Sequence, residues 1–445
     1  MMEEELKSPQ QNIDSEGKNP RKPKFQAPTG MRDVLFENQL YFQKVYSVVE
    51  NIANFYRFDK IDTPILENTE LFSRGIGIST DIVQKQMFTL RTKSDDLLTL
   101  RPEGTAPVVR AYIEHGMQNL PQPVKLWYFG PFFRHERPQA GRFRQFWQFG
   151  FEVLGEKSPA IDAQVILIFL QILKELKFKN LILEVNSIGD SQCRPYYKKL
   201  LANYFRSRET SLCSDCKRRL RENPLRILDC QEEKCQPIIT QAPQTVDHLC
   251  KECHWHFKEV LEFLDELEIP YQLNPHLVRG LDYYTRTVFE ISEKTEEGKT
   301  QGALVGGGRY DNLSKYLGKK DIPGCGAAAG VERIASLLRG KKIKLPSLPL
   351  PEVFLAQIGD LAKKKSLKIF EEFRKTKIQI AESLGRDSLR AQLNRANRLG
   401  VRFALISGQK EALEKKIIIR DMKSGSQETV KIENAVDEMK KRLKK

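Results

Sequence analysis

The sequence predicts an α+β fold: a domain on a mainly antiparallel sheet carrying a helical insertion, followed by a small α/β C-terminal domain. Three observations carry this. Apolar segments rich in aromatic and β-branched residues follow one another early in the chain with few helices between them, which favours antiparallel pairing over a doubly wound sheet. From about residue 190 to 270 the pattern gives way to polar helices and cysteines. After the link "GKKIKLPSLPLP", strands alternate with helix-length segments in a β-α-β rhythm. A chain of 445 residues has room for two or three domains and a sizeable core. The expected divisions are a disordered tail over 1–26, the sheet domain over 27–345 and the C-terminal domain over 346–445.

Each element has its own signal. The tail is polar and charged with no apolar run, so it reads as disordered and carries no signal peptide. "LYFQKVYSVVENIANFYRF" sets Val45, Val49, Ile52 and Tyr56 at helical spacing. "DKIDTPIL" reads as a strand interrupted by Pro64, which suits a sheet edge or an interface. "MFTLR" and "LLTLR" flank the turn "TKSDD" as a hairpin, and "KLWYFGPFF", "FWQFGFEVL", "LILEVNSI" and "TVFEI" supply further strands. In the C-terminal domain "EVFLAQI", "KIQIAE", "VRFALIS" and "KIIIR" read as a small parallel sheet. The longest apolar block, "VILIFL", is too short to cross a bilayer, and eight cysteines in so long a chain do not make a disulfide scaffold. A soluble, cytoplasmic protein is expected.

Formal net charge is +15, and its placement is informative. Residues 341–445 hold 26 Lys+Arg against 13 Asp+Glu, so 26 − 13 = +13 resides there. A basic module joined to a balanced one points to a polyanionic partner; a lysine-rich surface kept for solubility is the alternative.

Chemistry concentrates in a few segments. In "RPEGTAP", Glu103 follows the "LLTLR" strand and Thr105 stands at the expected N-cap of the helix "APVVRAYIEH". "LVRGLDYYTRTVFE" places Arg279 before a glycine and paired tyrosines. "VGGGRYDNL" reads as a tight glycine turn and, lacking a following Lys-Ser/Thr, is no P-loop. "GCGAAAGVERI" runs from small residues into a helix bearing Arg333, where a flat ligand can lie near the backbone. The segment "GPFFRHERPQAGRFRQFWQFGFE" reads as two strands joined by the loop "HERPQAGRFR". Guanidinium forks match phosphate oxygens and aromatic rings match a base, so a bound nucleotide accounts for both. A surface that stacks RNA bases fits that mixture as well.

From residue 27 onward the chain resembles bacterial-type histidyl-tRNA synthetases, which are class II aminoacyl-tRNA synthetases. "PTGMRDVL" resembles the family's N-terminal signature, "IDTPILE" motif 1 with Pro64 at the interface, "FRHE" with "RFRQF" motif 2, and "GVERI" motif 3. "LVRGLDYYTRTVFE" and "GGGRYDNL" resemble the two histidine-specific signatures. Arg57 stands where many relatives have glycine. The resemblance implies that Arg134 holds the α-phosphate of ATP, and that Arg142 and Arg333 grip the bent triphosphate and adenine, with Phe146 under the base. Glu103, Thr105 and Gln148 would hold the ammonium and carboxylate end of histidine. Glu152 and Tyr284 would reach the imidazole with Tyr283 beside them, and Arg279 would face the reacting carboxylate and α-phosphate. It further implies Mg²⁺ with the ATP, a homodimer, and tRNA for histidine as the partner of the basic C-terminal domain. The rival reading is a catalytically inactive, histidine-sensing regulatory paralogue. Such proteins generally lack the C-terminal domain and motif arginines, whereas Arg134, Arg279 and Arg333 are present. A class II synthetase for another amino acid is disfavoured by "LVRGLDYY".

"CSDCKRRLRENPLRILDCQEEKC" adds a separate question. Cys213 and Cys216 form a C-x₂-C pair, and Cys230 and Cys235 a looser C-x₄-C pair. Four thiolates here would close a tetrahedral zinc site. Free thiols on a helical insertion are the preferred reading, because the second spacing is loose and "HLCKECHWH" offers competing ligands. No metal ligand is assigned among the site residues.

Overall fold

The computed structural model describes residues 25–78, 80–138, 141–294, 300–318, 321–341, 343–346, 350–385 and 388–444. All but the last two residues of the expected tail lie outside the described residues. The chain forms two compact units that meet between Leu345 and Pro346.

In chain order the strands of the first unit are β1 (Asp59–Lys60), β2 (Leu66–Asn68), β3 (Phe88–Arg91), β4 (Leu97–Leu100), β5 (Val124–Phe133), β6 (Gln145–Leu154), β7 (Leu181–Ser187), β8 (Gln272–Leu273), β9 (Thr285–Lys294), β10 (Thr300–Arg309) and β11 (Gly324–Gly330). Eight of them form one sheet in the order β1-β5-β6-β11-β10-β9-β7-β8, and β2-β4-β3 form a small second sheet. The two outermost pairings of the large sheet are parallel and all those between are antiparallel. Pro64 falls between β1, an edge strand, and β2, so the proline costs no central ladder bond. The glycines of "VGGGRYDNL", expected in a turn, lie instead inside β10, and the small residues of "GCGAAAG" form β11. The two strands run so close that a Cβ on Gly307 would sit 2.3 Å from that of Ala327. Glycine there serves close approach, a use that composition alone does not separate from a turn.

Helices cover one face of the sheet. Glu37–Phe55 buries Val45, Val49 and Ile52 as the spacing predicted, and closes before Tyr56. Pro159–Glu175 carries all of "VILIFL" but the half-buried Leu167 into the core, and Lys251–Glu266 and Val331–Leu338 complete the layer against Phe149, Phe151, Phe289 and Ile291. The opposite face is built by Leu126, Tyr128, Val288, Tyr284 and Tyr310, covered by the helix Thr105–Glu114 and by the part of the insertion that precedes Lys251–Glu266. At the end of β10, Arg309 is completely buried. It donates to both carboxylate oxygens of Asp162 on Pro159–Glu175 and to the carbonyls of Glu156 and Ser158 at 3.0 and 3.1 Å.

The second unit contains β12 (Val353–Gln357), β13 (Ile380–Glu382), β14 (Phe403–Ser407), β15 (Lys416–Asp421) and β16 (Gln427–Lys431) in the order β13-β12-β14-β15-β16. The first three are parallel, but β15 and β16 run antiparallel, which corrects the all-parallel expectation. Between β14 and β15 lies only the short helix Gln409–Leu413, too little for a crossover connection. β16 has polar alternation and gave no strand signal.

Candidate active site

The site grows on the face of β5, β6 and β10 that the helix Thr105–Glu114 covers. Glu103 sits just before the helix Thr105–Glu114, and its carboxylate accepts the amides of Thr105 at 2.7 Å and Ala106 at 2.9 Å. Gly104 is the N-cap and Thr105 the first helical residue, so the cap is supplied by Glu103 and not by Thr105. The Thr105 hydroxyl, released from that task, donates to Glu152 at 2.7 Å. Glu152 lies in β6 with no solvent exposure, and Tyr310 donates to its other oxygen. Space for this carboxylate comes from Gly326 on β11, where a Cβ would lie 1.8 Å from Glu152 Oε2. Tyr283 donates to Glu103 at 3.3 Å, and its ring meets those of Tyr284 and Tyr310 at 4.7 and 5.8 Å.

These two carboxyls have different characters. Burial lifts Glu152 to about 8, despite hydroxyls that favour its anion, so it is largely protonated at neutral pH. Burial also raises Glu103, but two backbone amides and the nearby Arg134 pull against it. One buried carboxyl is thus held by fixed N–H groups and the Tyr283 hydroxyl, the other by hydroxyls alone. Burial pushes Tyr284 up to about 12, which keeps it a neutral hydroxyl.

Guanidinium groups line the adjoining space. Arg134, just past β5, donates Nε–H to the Pro102 carbonyl at 2.9 Å and lies 5.5 Å from the centre of the Phe146 ring. Arg279 pairs with Glu290 of β9 and passes over the Tyr284 ring at 5.8 Å. Its path crosses β10 at Gly306, where a Cβ would lie 2.0 Å from Nη2. Arg333 crosses Gly302 in the same way, with Nη2 2.6 Å from the absent Cβ. Burial lowers Arg333, and the positive charge of Arg142 lowers it further. Glu332, beside it, holds the amide of Trp147 with both oxygens at 3.0 and 2.9 Å, fixing this helix start to β6.

Glu103, Thr105, Glu152, Tyr283, Tyr284, Arg134 and Arg279 therefore form one cluster. Phe146 lies at its edge under Arg134, and Gln148 stands in β6 opposite Gly130 and Gly330. Arg142 is not drawn in: its side chain is 65% exposed and only 3.9 Å from Glu136. Sequence reasoning assigned no role to Tyr310 or to Tyr128, whose hydroxyl is 3.5 Å from Glu152 and whose ring lies where Gly104 and Gly150 have no Cβ. The signal was present in "GGGRYDNL" and "KLWYFGPFF", but a tyrosine among apolar residues reads as core. In the insertion, the ligand atoms of Cys213, Cys216, Cys230 and Cys235 lie within 4.8 Å of one another. The cysteines of "HLCKECHWH" do not compete with them; Cys250 and Cys253 join Asp190 and Cys193 in a second group of the same tightness.

A profile for histidyl-tRNA synthetase matches residues 30–334, and one for an anticodon binding domain matches residues 352–442. The chain is 44% identical over 419 residues to a histidine–tRNA ligase of Dehalococcoides mccartyi, covering 94% of this chain and all of that one. It is 45% identical over 416 residues to that of Halothermothrix orenii, covering 93% and 99%. The crystal structure of apo S. aureus histidyl-tRNA synthetase matches with a TM-score of 0.74 at 35% identity, over 93% of this chain and 99% of that one. No described helix is long and apolar enough to cross a membrane. Both profile matches, these relatives at nearly full length and the shared fold establish that the chain belongs to the histidyl-tRNA synthetase family.

Proposed function

We propose that this chain is a histidine–tRNA ligase. It activates histidine with ATP to histidyl-adenylate and pyrophosphate, then transfers histidine to the 3′ end of its tRNA. The observation that carries the reading is the pairing of a buried polar cluster around Glu152 with converging guanidinium groups on one face of the sheet. Imidazole offers one donor and one acceptor in its neutral form, and Glu152 with Tyr284 would meet both, while Tyr310, Thr105 and Tyr128 hold Glu152 in place. Glu103 would take the ammonium group beside Tyr283, and Gln148 the carboxylate. ATP enters as its magnesium complex. In the first step a carboxylate oxygen of histidine bonds to the α-phosphorus as the bond to the β-phosphate bridge breaks. Arg134 and Arg279 reduce the repulsion between the two anions and favour the charge that builds up. Arg333 would hold the departing pyrophosphate, joined by Arg142 once it turns inward from its exposed position, and Phe146 carries the adenine. The tRNA 3′-hydroxyl then attacks the carbonyl and AMP leaves.

The second unit is the arm for tRNA. Over residues 346–445 its charge of 23 − 13 = +10 suits a phosphate backbone, and a hollow of about 860 Å³ there is lined by Lys368, Lys375, Lys415, Lys416 and Lys431, with Glu372, Glu414, Glu433 and Asp437 among them. A tRNA substrate supports a cytoplasmic location. The exposed Ile65 and Leu66, next to Pro64 at the sheet edge, suit a homodimer interface. The buried Cys213, Cys216, Cys230 and Cys235 have the ligand set of a structural zinc site. ATP–pyrophosphate exchange with all twenty amino acids tests the assignment: histidine alone is expected to support exchange, and equal rates with proline or threonine would sink it.

A further inference from the structure

The insertion repeats one small device. Cys213 caps the helix Ser214–Glu222 with φ −70° and ψ 165°, and its sulfur accepts the amide of Cys216 at 3.3 Å. Cys250 caps Lys251–Glu266 with φ −67° and ψ 164°, and its sulfur accepts the amide of Cys253 at 3.5 Å. Each C-x₂-C turn thus aims two sulfurs to one side, with backbone N–H groups directed at sulfur. Each also faces a second pair of ligands: Cys230 and Cys235 in one case, Asp190 and Cys193 in the other. Cys213 Sγ and Cys230 Sγ are 3.8 Å apart, the edge of a tetrahedron of sulfurs set about 2.3 Å from a zinc ion. In the second group the Cys250 amide donates to Cys193 Sγ at 3.0 Å, and Asp190 supplies a carboxylate that also meets Arg286 at 3.5 Å, a charge suited to balancing an anionic ligand set.

We infer that Asp190, Cys193, Cys250 and Cys253 form a second structural zinc site, and that the two sites together brace the 277–284 loop carrying Arg279, Tyr283 and Tyr284. The link runs through few bonds. Arg194, next to Cys193, donates to the Asp282 and Ile188 carbonyls at 3.4 Å. From the segment between Cys216 and Cys230, Asn223 donates to the Asp282 side chain at 3.2 Å and Arg226 to the Gly280 carbonyl at 3.5 Å. Past the end of the helix at Glu222 this segment has only the 3-10 turn Pro224–Ile227, so the stretch holding Asn223 and Arg226 has few hydrogen bonds of its own and a metal staple has much to add. The bracing role rests on the proposed ligase reading of that loop; the second metal site does not.

Zinc content of the full-length protein, purified without chelator, tests the site. About two ions per chain are expected, with one lost in Cys213→Ser/Cys216→Ser and the other in Cys193→Ser/Cys250→Ser. Where a variant fails to fold, zinc released by stepwise thiol modification of the unmutated protein gives the same count. One ion per chain that the Cys193/Cys250 variant retains overturns the second site, and zinc-free protein overturns both. Neither result bears on histidine exchange, which stands or falls separately. For the bracing, amide exchange across 277–284 should quicken about tenfold or more on zinc removal, as in a local opening; unchanged protection overturns it.

Discussion

Gly306→Ala should disable the enzyme without unfolding it. A Cβ at this position would lie 2.0, 2.4 and 2.5 Å from Nη2, Cζ and Nη1 of Arg279. Ordinary contact begins near 3.4 Å, so the guanidinium has to retreat by about 3.4 − 2.0 = 1.4 Å. The clash is with the end of a flexible side chain, not with backbone, so the strand itself can stay where it is. Arg279 cannot keep both its pairing with Glu290 and its place over Tyr284. A displacement of this size in a group that positions reactants costs roughly 10²-fold in rate, or about 2.7 kcal/mol. Pre-steady-state pyrophosphate exchange should therefore show kcat falling by about two orders of magnitude, with KM for ATP within about threefold of the parent. Arg279→His should fall similarly, and Gly306→Ala/Arg279→His should be no worse than Arg279→His alone, because both act through one group. An intact kcat with only a raised KM for ATP, or additive losses in the double variant, would refute the role given to Arg279.

Three further outcomes follow from other features. Glu152, lifted to about 8 by burial, accepts a hydrogen bond from imidazole more strongly as its anion, so histidine binding favours release of its proton below that pH. Affinity should then tighten by up to about tenfold per pH unit as pH rises toward 8 and level off above it. Calorimetric titration of Glu152→Gln should show that component of the slope gone, and identical profiles would argue against it. Removing residues 346–445 should leave histidine adenylation near normal, since the two units have separate cores, and lower charging efficiency by about 10³-fold through lost backbone contacts; full charging by a folded truncation would contradict this. Arg57 has φ 59°, a region that favours glycine, so Arg57→Gly should gain about 0.5–1 kcal/mol in denaturant unfolding, and a loss would exclude backbone strain there.

The sequence made the strand pair around "HERPQAGRFR", the "TKSDD" hairpin and the core stripe of Glu37–Phe55 legible, because each follows from local periodicity. It did not reveal why the glycines of "VGGGRYDNL" are there. Their purpose is set by what crosses them, Arg279 and a neighbouring strand, and those partners are distant in the chain. The same applies to Tyr128 and Tyr310, whose hydroxyls matter only because Glu152 lies between them. Asp190 and Cys193 escaped notice as ligands because they precede Cys250 by more than fifty residues, beyond any motif spacing. Thr105 was misjudged by one step: its hydroxyl has the chemistry of a cap, but Glu103 reaches the helix amides first.

The buried Arg309 settles a problem that its own strand creates. β10 contains four glycines, and its pairing with β9 already shows irregular shifts near both ends. A strand with so few side chains has little to choose between neighbouring alignments, and sliding by one residue would carry Tyr310 away from Glu152. Arg309 admits only one alignment, since any other leaves its charge and that of Asp162 buried apart, at about 3–5 kcal/mol. The ion pair works as a ratchet pawl for the strand: it lets a surface stripped of side chains to admit Arg279, Arg333 and the neighbouring strands still meet those strands at a single notch. Substrate choice in this enzyme is thereby tied to a helix on the far side of the sheet, and Asp162→Asn should blur discrimination at the imidazole although it touches nothing in the site.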